Sequence, residues 1–422
     1  MRKFTVFLAA MATVAALGAS APAFGHDRAK PRQVGYFTQW GIYGRQFYVK
    51  NLDTNGSAAR LTHINYAFAN VNEQGRCFQS STPGESDAWA DYQWPVPAEL
   101  SVDGVGDTWG EPLNGNFGQL LKLKKKHPHL KVLLSIGGWT WSTYFSNAAL
   151  PENRAAFVES CLDIFLKGNL PILDGGSGGP GAAAGVFDGI DLDWEWPNWE
   201  GEPGNVIRPQ DRENFTGLLA EFRKQLNALG KTNDKHYELT AFLPANAPTM
   251  DAGYEGRKIF KYLDFATVQG YDFNGTWVLV TNQQSALSEV KQVVNDWQAR
   301  GAPRNKIVVG IPYYGRGWTG VQGGGDGFLK PATAAAPATY EAGYEDYKVL
   351  KTLGYPVHRN LRDGHAWLFN GTTFWTYDDP WVVLQKSLWI RQQGLGGAMM
   401  WSLDGDDTNA TLTKTIHFGL GR

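Results

Sequence analysis

Two cysteines, Cys77 and Cys161, are all that 422 residues contain, so a small scaffold held together by many disulfides is excluded. Beyond the first twenty-five or so residues no apolar run approaches the roughly 20 residues that a membrane-spanning helix needs. Surplus charge is also lacking: 39 basic and 41 acidic residues leave a formal net charge of -2. Without a basic excess there is no electrostatic reason to bind nucleic acid or an anionic membrane, and a neutral partner fits better.

The amino terminus carries the one exceptional apolar stretch. Met1-Arg2-Lys3, the run from Phe4 to Leu17 and the small residues at Ala21-Pro22-Ala23 have the pattern of a secretory signal peptide over residues 1 to about 25. Its removal takes Arg2 and Lys3 with it, moving the formal charge from -2 to -4 (-2 minus 2). The mature chain is expected to be secreted, extracellular and free of a membrane anchor. Export permits a disulfide between Cys77 and Cys161, with two buried free thiols as the other possibility.

What remains is long enough for one large α/β barrel of roughly 250 residues with insertions. Short β-rich runs near 33–38, 62–70, 131–136, 186–194, 237–243, 265–271, 306–312 and 397–402 alternate with helical patterns, as in successive βα units. Eight strands are the number that closes such a barrel. The intervening helices are legible: Phe215, Leu218, Leu219, Phe222 and Leu226 recur at helical spacing after a polar start at Asp211 to Asn214. The spacing predicts a (β/α)8 barrel over 31–420.

Three gaps are too long for simple connections. A loop from Gln79 to Asn116, with Trp89, Tyr92, Trp94 and Trp109, follows the second strand and so belongs on the barrel face where active sites are built. It is a candidate groove wall. The glycine-rich piece Asp174 to Gly181, continued by Ala182 to Ala184, reads as a flexible connector on the opposite face. The stretch 316–378, with strand-like Ala366 to Asn370 and Thr373 to Tyr377, predicts a small α+β insertion between the seventh and eighth strands. The chain ends soon after the last strand, so no further binding domain is expected.

One strand is chemically anomalous. In Val186 to Pro197 the alternation of side chains sends Ile190, Leu192 and Trp194 to one face and Asp191, Asp193 and Glu195 to the other. Unpaired buried ions cost several kcal/mol each, so an ordinary core strand would not carry this row. A solvated edge strand would not be flanked by Val, Phe, Ile, Leu and two Trp. An oxygen-ligand metal cage lacks a nearby His or Asn to complete it. Neighbouring carboxylates about 7 Å apart at Cα raise one another's pKa, and a Glu raised toward neutrality suits a general acid. Asp188 is out of phase with the row and fits a structural hydrogen bond. The chain also holds 17 Trp and 17 Tyr, and Trp in polar or glycine-rich loops suits stacking on sugar rings.

Asp188-Gly189-x-Asp191-x-Asp193-x-Glu195 resembles the signature of glycoside hydrolase family 18, the chitinase family. Ser135-Ile136-Gly137-Gly138-Trp139, Asn65-Tyr66-Ala67-Phe68, Tyr271-Asp272, Tyr314-Gly315-Arg316 and Trp401 extend the resemblance over essentially the whole mature chain, and the insertion resembles that of deep-grooved bacterial members. The resemblance implies retaining hydrolysis of β-1,4-linked N-acetylglucosamine with the substrate's own acetamide as nucleophile, no cofactor and no metal, on chitin or chitooligosaccharides, by a monomer. It implies Glu195 as general acid, Asp193 as the residue that orients the acetamide, Asp191 as a proton-sharing partner of Asp193, and Tyr271 as donor to the acetamide carbonyl.

Sugar contacts are implied for Asp272, for Trp401 as a floor, and for Trp139 and Trp277 as stacking platforms. Tyr36, Phe68 and Tyr314 complete that set. Arg316 suits either sugar hydroxyls or a structural ion pair. Gln269 stands where the family commonly has Met, and could add a hydrogen bond to sugar. The same acid motif also occurs in endo-β-N-acetylglucosaminidases acting on glycoprotein glycans, and in chitin-binding lectins of this fold that usually lack the terminal acid.

Overall fold

The computed structural model describes residues 30–173 and 176–422. The leader expected over residues 1 to about 25 lies outside the described residues, as do Asp174 and Gly175 of the connector. In chain order the first strands are β1 (Arg32–Thr38), β2 (His63–Val71), the two-residue β3 (Cys77–Phe78), β4 (Lys131–Gly137) and β5 (Gly189–Asp193). β6 (Glu238–Leu243), β7 (Phe265–Val268) and β8 (Ile307–Pro312) follow, and β15 (Gly397–Trp401) is the last. β3 returns antiparallel along β2. The other eight pair in parallel, and β1 pairs with both β15 and β2, which closes the barrel.

The apolar face of β5 packs outward as its alternation requires. Trp194 stacks on Phe145 with ring centroids 5.4 Å apart and meets Phe215 edge-on at 6.0 Å. Phe215 belongs to the helix Asp211–Asn233, whose Phe215, Leu218, Leu219, Phe222 and Leu226 are all buried. Each such side chain contributes about 1.5–3 kcal/mol of burial free energy. Asp211 starts the helix by accepting from Arg208 N at 2.8 Å and from Ser146 Oγ at 2.6 Å. At the other end Asp234 adopts the left-handed conformation and stops it.

β7 is shorter than its sequence suggests. Gln269, Gly270, Tyr271 and Asp272 leave the ladder after Val268, and Asp272 has φ 59°, a left-handed conformation in which an extended strand cannot continue. Its side chains are thereby freed to face the barrel mouth.

Between β8 and β15 lies a second, antiparallel sheet. Its strands are β9 (Tyr314–Thr319), β10 (Ala334–Ala335), β11 (Tyr344–Asp346), β12 (Val357–Asn360), β13 (His365–Phe369) and β14 (Phe374–Tyr377), with one four-residue helix at Tyr347–Leu350. β9 begins two residues after β8 ends, so the module grows directly out of the Tyr314-Gly315-Arg316 motif. It has its own small core of Trp318, Val321, Trp367, Phe369 and Phe374.

Of the two possibilities for the cysteines, the disulfide is formed. Cys77 of β3 and Cys161 of the helix Arg154–Cys161 are bonded, with Cα atoms 5.0 Å apart. Among the described residues no helix is long and apolar enough to cross a membrane.

Candidate active site

The upper end of β5 sets the site. Register pairs Asp191 with Ser135 on β4 and with Thr240 on β6, so a hydroxyl flanks the carboxyl from each side. Ser135 Oγ donates to Asp191 Oδ2 at 2.8 Å and Thr240 Oγ1 to Oδ1 at 2.5 Å. From β1, Tyr36 reaches across to donate to Oδ2 at 2.7 Å. Burial raises the Asp191 pKa, and these three hydrogen bonds work against that rise.

One step up, Asp193 has no such support. Its Oδ1 is buried with no hydrogen-bond partner among the described residues. Burial, then the charges of Glu195 and Asp191, push its pKa well above the ordinary range. Such an orphaned acceptor is costly unless a ligand or proton satisfies it. Glu195 is half-buried at the mouth, and burial followed by the charge of Asp272 raises it to about 8. Its backbone is fixed on both sides: Ser142 Oγ accepts from Glu195 N at 2.8 Å, and Asn205 Nδ2 donates to Glu195 O at 3.0 Å.

The glycines of the β4 motif are a packing requirement. A side chain at Gly137 would begin 2.3 Å from Asp193 O, and the residue's φ is 105°. Any other residue would push β4 away from the acid row.

These acids open into a cavity of about 1780 Å³, beyond the 300–1,000 Å³ usual for small-ligand pockets. Asp193, Glu195 and Tyr271 all line it. Burial, then Asp193, raises the Tyr271 hydroxyl well above its usual value, so it stays protonated as a donor. Trp401 lines the floor, stacked on Phe68 at 5.7 Å and met edge-on by Tyr36 at 5.2 Å. Trp139 and Trp277 line the same cavity and are 48% and 59% exposed, large apolar rings left in contact with water. Gln269 and Tyr314 line it as well. Every site residue anticipated from sequence lies on this cavity except Asp191, which sits beneath it.

Arg316 forms an ion pair. Its Nε donates to Asp272 Oδ1 at 2.8 Å, and its guanidinium lies against Trp277, Tyr314 and Tyr344. The pair holds Asp272 facing Glu195.

The long loop contributes less than its aromatics suggest. Trp89 lines the cavity, but Tyr92 is fully buried against Phe117, Trp94 packs on Tyr48, and Trp109 is exposed outside the cavity lining, 6.2 Å from Trp89. The base of the loop is core: Asp91 is buried and accepts from Gln39, Tyr66 and Gln79. Conversely, Trp40, Tyr43, Trp141 and Trp199 line the cavity without having been singled out. Trp40 lies two residues past the end of β1 and Trp199 four residues after Glu195, so an aromatic just past a strand's upper end was the available signal. Among the described residues no group of three or more His, Cys, Asp or Glu is arranged to hold a metal ion.

The site is thus a carboxyl row inside a parallel barrel, facing an aromatic-lined cleft. The chain matches the Glycosyl hydrolases family 18 model over residues 32–406, and it belongs to that family. It is 40% identical over 403 residues to Chitinase 63 of Streptomyces plicatus, covering 92% of this chain and 60% of the relative. It is 34% identical to Chitinase A1 of Niallia circulans, covering 91% and 57%. The chain thus spans about three fifths of the length of these curated relatives. The catalytic domain of a psychrophilic chitinase B from Arthrobacter TAD20 superimposes with a TM-score of 0.89 at 46% identity, covering 93% of this chain and 95% of that one.

Proposed function

We propose that this protein is a chitinase, hydrolysing β-1,4-linked N-acetylglucosamine polymers with retention of configuration. The observation that carries the reading is the pairing of a raised Glu195 with an orphaned, raised Asp193 in a long aromatic cleft. Family 18 is an exception to the scheme in which one protein carboxylate attacks the sugar.

In the proposed reaction Glu195 gives its proton to the glycosidic oxygen as that bond breaks. The acetamide carbonyl oxygen of the same sugar attacks the anomeric carbon from the opposite face and closes an oxazolinium ring. Asp193 accepts a hydrogen bond from the acetamide N–H through the oxygen that has no protein partner, and as its proton passes down to Asp191 the negative charge left on it stabilises the developing cation. Tyr271 donates to the acetamide carbonyl and aims it. Glu195, now ionised, takes a proton from the water that opens the ring, so two inversions give net retention. Asp191, held by Tyr36, Ser135 and Thr240, shares a proton with Asp193 below.

Trp401 supports the ring at the scissile bond, Trp139 and Trp277 stack on neighbouring sugars, and Asp272 holds the distorted sugar from its place on Arg316. The open, aromatic-lined length of the cleft supports a linear polymer over the compact core of a glycoprotein glycan. The presence of Glu195 speaks against a non-catalytic lectin. The disulfide, together with the amino-terminal pattern, supports secretion to an oxidising compartment, and the barrel is proposed to act as a monomer.

Labelled chitooligosaccharides test the reading. The expected products are shorter oligomers with the β-anomer formed first. Release of the α-anomer, or cleavage of glycoprotein glycans alone, would overturn it.

A further inference from the structure

The first turn of the helix Leu287–Ala299 brings to the cleft a carboxyl that neither the acid row nor the aromatic platforms account for. Gly270 seats this strand end against β8. A side chain there would begin 2.1 Å from Gly310 O and would lie 3.6 Å from Val290 Cγ2, an ordinary contact, so the glycine is required by β8 and the start of this helix packs beside it. Glu289 is the neighbour of Val290. It lines the cleft with Gln269 and Tyr271, the two residues that flank Gly270.

The cation that acts on Glu289, Lys386, is committed elsewhere. Lys386 and Asp378 form a fully buried ion pair, and Ser285 Oγ donates to the same carboxyl at 2.7 Å. Among the described residues nothing hydrogen-bonds the Glu289 carboxyl or the Gln269 side-chain amide. Burial raises Glu289 to about 7 against the pull of Lys386, so near neutrality it both donates and accepts. An amide does the same. Two cleft-lining groups that each donate and accept match the O–H and N–H groups of a neutral amino sugar, which present donors and acceptors side by side.

We propose that Glu289, together with Gln269, is a further substrate-binding contact, hydrogen-bonding hydroxyl or amide groups of the N-acetylglucosamine unit beside Tyr271. This rests on the chitinase reading. The contact lies beside the acid row and takes no part in proton transfer, so it holds ground state and transition state alike and acts on KM.

Glu289→Ala, Glu289→Gln and Gln269→Ala in the full chain test it, with initial rates on the N-acetylglucosamine tetramer and thermal midpoints for each. Glu289→Ala and Gln269→Ala are each expected to raise KM about tenfold with kcat within about twofold, at an unchanged midpoint. Glu289→Gln, which still donates and accepts, should stay within about threefold of wild type. KM within about twofold of wild type for Glu289→Ala overturns the proposal. So does parallel weakening of Glu289→Ala and Glu289→Gln with lowered midpoints, which would assign Glu289 to the structural cluster around Lys386. Should Glu289→Ala fail to fold, the other two variants decide, and a wild-type KM for Gln269→Ala overturns the shared contact. Failure of the chitinase reading shows in the wild type itself, which then releases no product from the tetramer.

Discussion

The two ends of β5 both carry buried acids, and their surroundings treat them in opposite ways. At the lower end the Asp188 carboxyl meets Lys124 and Lys235, each at 2.7 Å, and accepts from Val132 N at 2.9 Å. Beside it on β6, Glu238 is paired with His63 at 2.8 Å and with Lys131. Burial alone would raise Glu238, yet these two partners outweigh it and hold the group at about 2. At the upper end Asp193 and Glu195 have no basic partner among the described residues, and burial drives both upward. Compensated acids hold the barrel together, whereas uncompensated ones are kept ready to exchange protons.

The largest contrast is expected in turnover. Glu195→Gln keeps shape and removes the transferable proton, so kcat on the N-acetylglucosamine tetramer should fall by about a thousandfold or more, with binding retained by calorimetry. Glu238→Gln should leave kcat within about twofold. Retention of a tenth of wild-type turnover by Glu195→Gln would remove the upper acid from the mechanism.

Substrate assistance sharpens the same contrast, because an unsatisfied Asp193 needs an acetamide to hold. Oligomers of glucosamine with the same linkage should turn over at least about a hundredfold more slowly, and a thiazoline mimic of the ring-closed intermediate should inhibit strongly. Intact-mass detection of a stable fluorosugar adduct on the chain would instead indicate a protein nucleophile.

In stability the order reverses. Glu238 has a folded pKa near 2 and an unfolded value near 4.3. Its contribution is present above the unfolded value and lost as pH falls through the folded one. The gap corresponds to something on the order of 3 kcal/mol. Glu238→Gln should lose about that much in denaturant unfolding at pH 7 and less than half of it at pH 3. Glu195 has its folded value raised, so its ionisation opposes folding increasingly as pH rises toward 8. Glu195→Gln should therefore gain stability over that window, and a loss there would show that Glu195 is compensated after all.

The smallest expected effect is a shift in a pH profile. Since Glu195 must carry its proton, kcat/KM should decline above about pH 8. Removing the Asp272 charge, which raises Glu195, should move that limb down by about one unit in Asp272→Asn. An unmoved limb would mean that another group controls it.

The barrel and the acid row were readable in the chain because both follow from local periods. Alternation along a strand puts Asp191, Asp193 and Glu195 on one face whatever surrounds them, and the stripe from Phe215 to Leu226 marks its buried side in the same way. The aromatic loop shows where that kind of reading stops. Trp89, Tyr92 and Trp94 look equivalent in sequence, yet one lines the cleft and two are packed at the loop's base, because only the position of Phe117, Tyr48 and the buried Asp91 cluster decides which ring meets water.

By itself the sequence determined which side chains share a strand face, where the barrel strands fall and which acids stand in the row, since each depends on neighbours a few residues apart. The tertiary structure alone decided which acids are neutralised. The partners of Asp188 are Lys124 and Lys235, and Glu289 is brought to the cleft on a helix from a later part of the chain. Charge compensation and desolvation are sums over every group within a few ångströms, and folding draws those groups from distant parts of the chain.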